Sequence, residues 1–296
     1  MVDMIEKAPR WVEAPDLAAC LELKARFGAN ALPVAGGTDA SLRLRSGQWR
    51  PAVLFSLRAS CLHHLKRTDD ELTIGACVTM ATLAADDAVR TTWSALAVAA
   101  GGLGSPLIRN LATLGGNLGN ASPCADTAPP LLVYEAQIVV RSTRGLRSLP
   151  VERFFTGPGG TAMKEDELII EVRVPRPPEG TVATFRKFGP RRANVIAASS
   201  LATALTFQDG VVARARLAAG SVAPTPLRLL RVEGFLLGRA ATDLADPRIR
   251  EEAAELLLEE VVPIDDVRGS AWYKGRVAAN ALIRELAAAA EKEAPR

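Results

Sequence analysis

The sequence predicts an α+β fold in two parts: a larger α/β region, then a smaller one in which an antiparallel hairpin precedes helices. Three observations predict it. Apolar runs of strand length, Leu32-Pro33-Val34-Ala35 and Val53-Leu54-Phe55-Ser56-Leu57, alternate with helical segments early in the chain. Pro175-Arg176-Pro177-Pro178-Glu179-Gly180 reads as a linker. Beyond it, strand-like residues 197–207 and 211–219 flank Gln208-Asp209-Gly210, and three helical runs follow.

Taken in order, Asp16 is an N-cap for a helix whose apolar face holds Leu17, Cys20, Leu21 and Phe27, and Gly28 stops it. Residues 65–68 and 72–74 flank Asp69-Asp70-Glu71, a hairpin signal. Residues 79–100 are alanine-rich and helical, with a break near Asp86-Asp87, and Gly101-Gly102 ends them. Residues 126–136 read as a helix, with Pro129-Pro130 tolerable only near its start. Residues 137–141 and 168–174 read as strands. The late helical runs are 227–237, 247–261 and 271–290, with Pro247 at N1 behind Asp246.

Composition excludes several classes. With 296 residues, 48% of them apolar, the chain is long enough for two packed domains. Net charge is +3, and no basic stretch is interleaved with aromatics, so nucleic acid is not an expected partner. Cys20, Cys61, Cys77 and Cys124 are scattered, which removes any CxxC-type zinc or iron–sulfur cradle and fits a reducing compartment. Residues 1–10 contain no apolar signal core, and no apolar run reaches membrane-spanning length. The expectation is a soluble, cytoplasmic protein with no metal site of its own.

Two glycine loops lie about eighty residues apart, Ala35-Gly36-Gly37-Thr38-Asp39 and Thr113-Leu114-Gly115-Gly116-Asn117. Paired glycines let backbone N–H groups approach an anion, so two such loops suit an elongated anionic ligand such as a dinucleotide pyrophosphate. The first loop lacks the GxGxxG spacing of a Rossmann unit and the GxxxxGK[ST] of a P-loop; by itself it also reads as a tight strand-to-helix turn. The second runs from Ile108 through Ser122-Pro123-Cys124-Ala125-Asp126, a tract dense in amides, hydroxyls and glycines, read as a long functional loop. Thr113 and Asn117 are candidate hydrogen-bonding groups. Asp126 either accepts from ligand hydroxyls or caps the helix after it.

His63 and His64 are the only histidines and read as a surface pair. No HExxH, GxSxG or DxDxDG occurs, so no catalytic residue is assigned. That absence suits a cofactor that carries the chemistry while the protein binds and orients it. The run Phe185-Arg186-Lys187-Phe188-Gly189-Pro190-Arg191-Arg192-Ala193-Asn194 is either a solvated basic edge or a lysine aimed at a cofactor's phosphate or carbonyl.

Both loops in this order and spacing, with Ser122-Pro123 and Asp126 behind the second, resemble the FAD-binding subunit of the molybdenum hydroxylases. That family includes xanthine dehydrogenase and the medium subunit of aerobic carbon monoxide dehydrogenase. The likeness continues through Asp166-Glu167-Leu168-Ile169-Ile170 and residues 187–194 to Trp272-Tyr273-Lys274-Gly275-Arg276. It implies residues 1–176 as a FAD-binding domain of vanillyl-alcohol-oxidase-like type, in two subdomains of roughly 1–58 and 59–176. A C-terminal flavoprotein domain would follow at 181–290.

The same resemblance implies noncovalent FAD. Leu32 and Val34 lie along it. The backbones of Ala35, Gly36, Gly37, Thr38 and Asp39, and of Ala112, Thr113, Gly115, Gly116 and Asn117, cradle its pyrophosphate. Asp126 contacts the flavin or ribityl chain, Ile169 and Ile170 pack near the isoalloxazine, and Lys187 meets its polar edge. Molybdopterin and iron–sulfur clusters are implied on a large and a small partner subunit, in a dimer of heterotrimers, with electrons leaving to NAD or a quinone-like acceptor. Two other readings stay open on the residues: a self-contained flavin oxidase of related architecture, and a scaffold subunit that has lost its flavin.

Overall fold

The computed structural model describes residues 8–58, 60–191 and 194–293. The first part of the chain forms β1 (Arg10–Val12), α1 (Leu17–Phe27), β2 (Ala31–Val34), α2 (Ala40–Arg45) and β3 (Val53–Ser56). Its strands make a parallel three-stranded sheet in the order β1-β3-β2. Asp16 caps α1 by accepting from the Ala19 amide at 2.9 Å, and Gly28 ends it with φ +53°, as the sequence implied.

A second unit follows: β4 (Leu65–Arg67), β5 (Glu71–Gly75), α3 (Met80–Ala85), α4 (Asp87–Thr92), α5 (Ser94–Gly102), α6 (Pro106–Arg109), α7 (Leu114–Asn120), α8 (Ala128–Val133), β6 (Gln137–Ser142), β7 (Gly145–Pro150), β8 (Phe155–Gly157), β9 (Gly160–Thr161) and β10 (Leu168–Pro175). Its main sheet is antiparallel, in the order β4-β5-β10-β6-β7, so the last strand in sequence sits at the centre.

The alanine-rich run is three helices rather than two. Asp86 ends α3 and caps α4 through the amides of Ala88 and Val89, and Trp93 makes the second break. The Trp93 indole N–H is held by the Pro175 carbonyl at 2.9 Å, which turns its backbone out of the helix. The expected long loop after residue 108 contains a helix, α7, because the Thr113 hydroxyl accepts from the Gly116 amide and starts it. The helix expected over 126–136 is confined to α8.

After the linker come β11 (Thr181–Phe188), β12 (Ser199–Gln208), β13 (Val211–Gly220), β14 (Leu227–Arg228), α9 (Leu230–Leu236), α10 (Pro247–Glu260) and α11 (Ala271–Glu293). The strands form an antiparallel sheet in sequence order. The expected helix over 227–237 starts as β14, since Leu227 and Arg228 pair with Ala219 and Ala218. The basic run begins inside β11, which pairs along its length with β12 through Thr181–Thr206 and Thr184–Thr203 hydroxyl contacts.

This sheet is buried on both faces. Phe185, Ala202, Ala204 and Ala218 join the core formed with α5 and α8, while Leu201, Leu205, Leu217 and Ala219 pack under α9, α10 and α11. Alternation along β12 thus sends successive side chains into two different cores. At roughly 1.5–3 kcal/mol per large apolar side chain, that double burial welds the C-terminal part to the rest.

Candidate functional site

The two glycine loops meet. A Cβ on Gly36 would lie 1.7 Å from the Leu111 carbonyl oxygen and 3.1 Å from the Ala112 nitrogen, so backbone packs directly on backbone. Only glycine permits this approach. Gly37 follows at φ +73°, a left-handed turn that carries the chain from β2 into α2. Among the described residues, the amides of Ala35, Gly36, Gly37, Thr38 and Asp39 donate to no protein acceptor. Unbonded N–H groups in one short turn are an anion cradle.

The second loop is built differently, and this corrects the expectation of two equivalent backbone cradles. Its amides are spent inside the protein: Leu114 on Val78 O (3.0 Å), Gly115 on Ala76 O (2.9 Å), Gly116 on Thr113 Oγ1 (3.0 Å) and Asn117 on Thr113 O (2.9 Å). Gly115 is a packing glycine, since a Cβ there would fall 2.6 Å from Ala76 Cβ. Gly116 is exposed, and a Cβ there would fall 2.9 Å from Thr113 Oγ1, the hydroxyl that caps α7. The second loop therefore supplies shape and side chains. Asn117 Oδ1 accepts from the Thr127 hydroxyl at 2.6 Å, which leaves its NH2 group to donate elsewhere.

Downstream, Asp126 is 5% exposed and does not cap α8, whose N-cap position is Thr127. Its Oδ2 accepts from Lys187 Nζ at 2.5 Å, and Lys187 also donates to Gly102 O at 3.2 Å. Its Oδ1 is buried without a partner, as is Asn120 Oδ1. Burial pushes the Asp126 carboxyl up to about 6, against the opposing pull of the Lys187 charge and hydrogen bond. Orphaned buried acceptors cost about 1–3 kcal/mol each, so these two, at the end of α7 and just before α8, mark where donors from a ligand would belong. Lys187 comes from β11, so this pair joins the two parts of the chain.

The remaining predicted residues lie on β2 and β10. Leu32 and Val34 are half-buried on β2, and Val34 Cγ1 lies 3.5 Å from where a Cβ on Gly37 would stand. Ile169 and Ile170 are buried at a register shift in β10. Ile169 Cδ1 approaches Gly119 of α7, while the Ile170 carbonyl accepts from the Ala76 amide at 2.9 Å. Of the basic run, Arg186 pairs with Glu285 at 2.6 Å and Arg191 bonds the Asn194 carbonyl, whereas Arg192 and Ala193 lie outside the described residues. His64 sits 3.3 Å from Glu171 and His63 is exposed, both away from these groups.

Sequence reasoning missed Leu111, Ala76, Gly102 and Thr127, whose parts are played by backbone, packing or a hydroxyl. Asn120 lay within the polar tract and had a readable signal. Two cavities, one between the linker and Arg214 and Arg216, the other between α10 and α11, touch none of these residues. The open amides, the orphaned acceptors and the close backbone approach fit an extended dinucleotide with an anionic centre and a polyhydroxyl chain, which is the chemistry of FAD.

Comparison with known proteins agrees. The family model described as FAD binding domain in molybdopterin dehydrogenase matches residues 4–177, and that of the CO dehydrogenase flavoprotein C-terminal domain matches residues 183–289. The xanthine dehydrogenase FAD-binding subunit of Escherichia coli O157:H7 is 31% identical over 244 residues, 81% of this chain and 82% of its own. The carbon monoxide dehydrogenase medium chain of Hydrogenophaga pseudoflava is 30% identical, over 90% of this chain and 92% of its own. A solved structure of carbon monoxide dehydrogenase from that organism, lacking the Mo-pyranopterin moiety of its cofactor, superposes with a TM-score of 0.91 at 27% identity, covering 98% of this chain and 99% of that one. The chain therefore belongs to the family of FAD-binding flavoprotein subunits of the molybdopterin dehydrogenases.

Proposed function

We propose that the chain is the electron-transfer subunit of a molybdopterin-dependent hydroxylase or dehydrogenase complex in the cytoplasm. In this reading a large subunit oxidises substrate at molybdopterin and a small iron–sulfur subunit passes single electrons to this chain. The final acceptor is NAD or a quinone-like species, and the assembly is a dimer of heterotrimers. The relatives' descriptions as subunits and medium chains support it, as does the lack of any membrane-crossing helix among the described residues. FAD supplies the redox chemistry, accepting electrons singly or in pairs.

The protein's own residues bind and orient. The amides of Ala35, Gly36, Gly37, Thr38 and Asp39 hold the pyrophosphate, with Ala112, Thr113, Gly115, Gly116 and Asn117 shaping the facing wall. Asn120 and Asp126 accept from hydroxyls or ring N–H groups. Leu32 and Val34 would lie along the cofactor, Ile169 or Ile170 would pack near its ring, and Lys187, paired with Asp126, would meet the ring's polar edge. Residues 1–176 form the FAD-binding domain, with subdomains near 1–58 and 59–176, and 181–290 the C-terminal domain.

The observation that carries this reading is the contact of Gly36 with Leu111, which makes one cradle of two loops. The test is flavin release. The purified chain is expected to be yellow and to release one FAD per chain on denaturation. Gly116→Leu is expected to crowd the Thr113 cap of α7 and lose the flavin, while the circular dichroism spectrum shows the chain still folded. Full flavin content in that variant contradicts the assignment.

A further inference from the structure

The stretch between α10 and α11 carries three exposed large apolar side chains, Val262, Ile264 and Val267; Trp272 and Tyr273 on the first turn of α11 and Ile196 on the loop after β11 make six. The two loops are tied together, since Arg268 Nη1 donates to the Ala197 carbonyl at 3.0 Å. Exposed apolar clusters of this kind mark protein contacts.

This stretch is not a loose loop. Lys274, with no exposed surface, donates to Ile264 O at 2.8 Å and pairs with Asp266 at 2.6 Å. Arg268 pairs with the same Asp266, Val262 N donates to Val222 O at 2.9 Å, and the Asp265 carboxylate accepts from the Ala271 amide at 2.5 Å. Lys274 is buried and Asp266 and Arg268 are half-buried and paired, while the large apolar side chains face out. A solvated loop does the reverse.

Its position gives the partner's chemistry. Arg268 touches the Cys124 thiol, two residues before Asp126, and the Pro123 carbonyl accepts from the Ser221 amide at 2.9 Å. The patch thus begins where the cofactor site ends. Arg191, on the loop of Ile196, and Arg276, one turn after Trp272 on α11, are exposed and pair with no carboxylate among the described residues. Against these two cations Asp265 is the one exposed carboxylate of residues 262–276, so the charge on this face is net positive and complements acidic groups.

We infer that this face docks a protein subunit that delivers electrons to the flavin, meeting it through an apolar centre ringed by acidic groups on the partner. The inference rests on the function proposed above. The test uses the complex purified from cells that make the chain with its molybdopterin and iron–sulfur subunits. Amide hydrogen exchange in 262–273 is expected to slow at least about tenfold in the complex relative to the isolated, flavin-loaded chain. The double variant V267D/W272E is expected to keep its flavin and bind its partners about thirtyfold more weakly or worse. R276E is expected to weaken binding with a shallower salt dependence.

Unchanged exchange in a flavin-loaded complex that V267D/W272E leaves intact overturns this inference alone. Protection of the patch in the isolated chain as its concentration rises, with a matching gain in mass, also overturns it, because the occupant is then a second copy. A chain that holds no flavin and purifies alone overturns the proposed function and this inference together.

Discussion

At the scale of the residue, Asp126 is the most informative group. Its carboxyl titrates near 6 in the folded chain, against 3.8 ordinarily, because burial outweighs the help from Lys187. The folded state therefore binds a proton between about pH 4 and 6 that the unfolded chain has released. Its contribution to apoprotein stability is fully present below 3.8 and is lost as pH rises through about 6. The size is on the order of 2–3 kcal/mol, at roughly 1.4 kcal/mol for each tenfold gain in proton affinity on folding. Denaturant unfolding of the flavin-free chain across pH 4–7 is expected to show this slope, and Asp126→Asn to flatten it. Flavin groups that donate to Oδ1 favour the ionised form, so FAD affinity is expected to fall as pH drops below about 6, measurable by fluorescence titration. Nothing near Asp126 in sequence announces Lys187, which lies 61 residues away on β11. The separate importance of each was legible from the resemblance; their pairing needed the fold.

Among the elements, α7 shows how one short helix divides its labour. Gly115 faces Ala76 and Gly116 faces out. Gly115→Val is expected to destabilise the chain by about 1–3 kcal/mol through overpacking, seen as a lower denaturation midpoint. Gly116→Leu meets only the Thr113 hydroxyl, so it is expected to disturb that cap and lose the flavin without overpacking the core. The sequence marks both glycines alike, because what separates them is a contact with β5's far end. Elements set by local rules were readable: the Asp16 cap, the Asp69-Asp70-Glu71 turn, the Gln208-Asp209-Gly210 hairpin and Pro247 at N1 all stand as expected. β11 and β14 were not, since mixed polar residues there become strand only by pairing with neighbours far along the chain. On α11, Lys274→Met is expected to cost about 2–3 kcal/mol, the worth of charged hydrogen bonds removed from a buried site. The same change should speed hydrogen exchange in 262–270, because Ile264 and Asp266 lose the group that anchors them.

For the whole molecule, the proline linker separates two parts that nonetheless share a core. Phe185, Ala202, Ala204 and Ala218 lie among the side chains of the first part, Lys187 pairs with Asp126, and Glu135 is gripped by Arg214 and Arg216. Cutting the chain between 176 and 180 with a site-specific protease is therefore expected to leave two fragments that co-elute in gel filtration and unfold in one transition. The linker's composition suggested independent domains; the alternation along β12, which buries apolar side chains in both cores, and the hydroxyl pairs that satisfy Thr203 and Thr206 are the reason to expect one body.

The placement of β10 has a consequence for how the chain comes into being. The strand that completes the larger antiparallel sheet is its last in sequence yet lies between β5 and β6. During synthesis the sheet stands open along its middle until residue 175 has left the ribosome, with Ile74 and Val139 lacking their neighbours. Pairing over about a hundred residues of separation is slow and leaves unpaired edges open to other chains. The nascent protein is thus most vulnerable to aggregation just before the linker emerges. A truncated chain released at residue 165 is expected to be captured by chaperones, whereas one released at residue 180 folds that sheet.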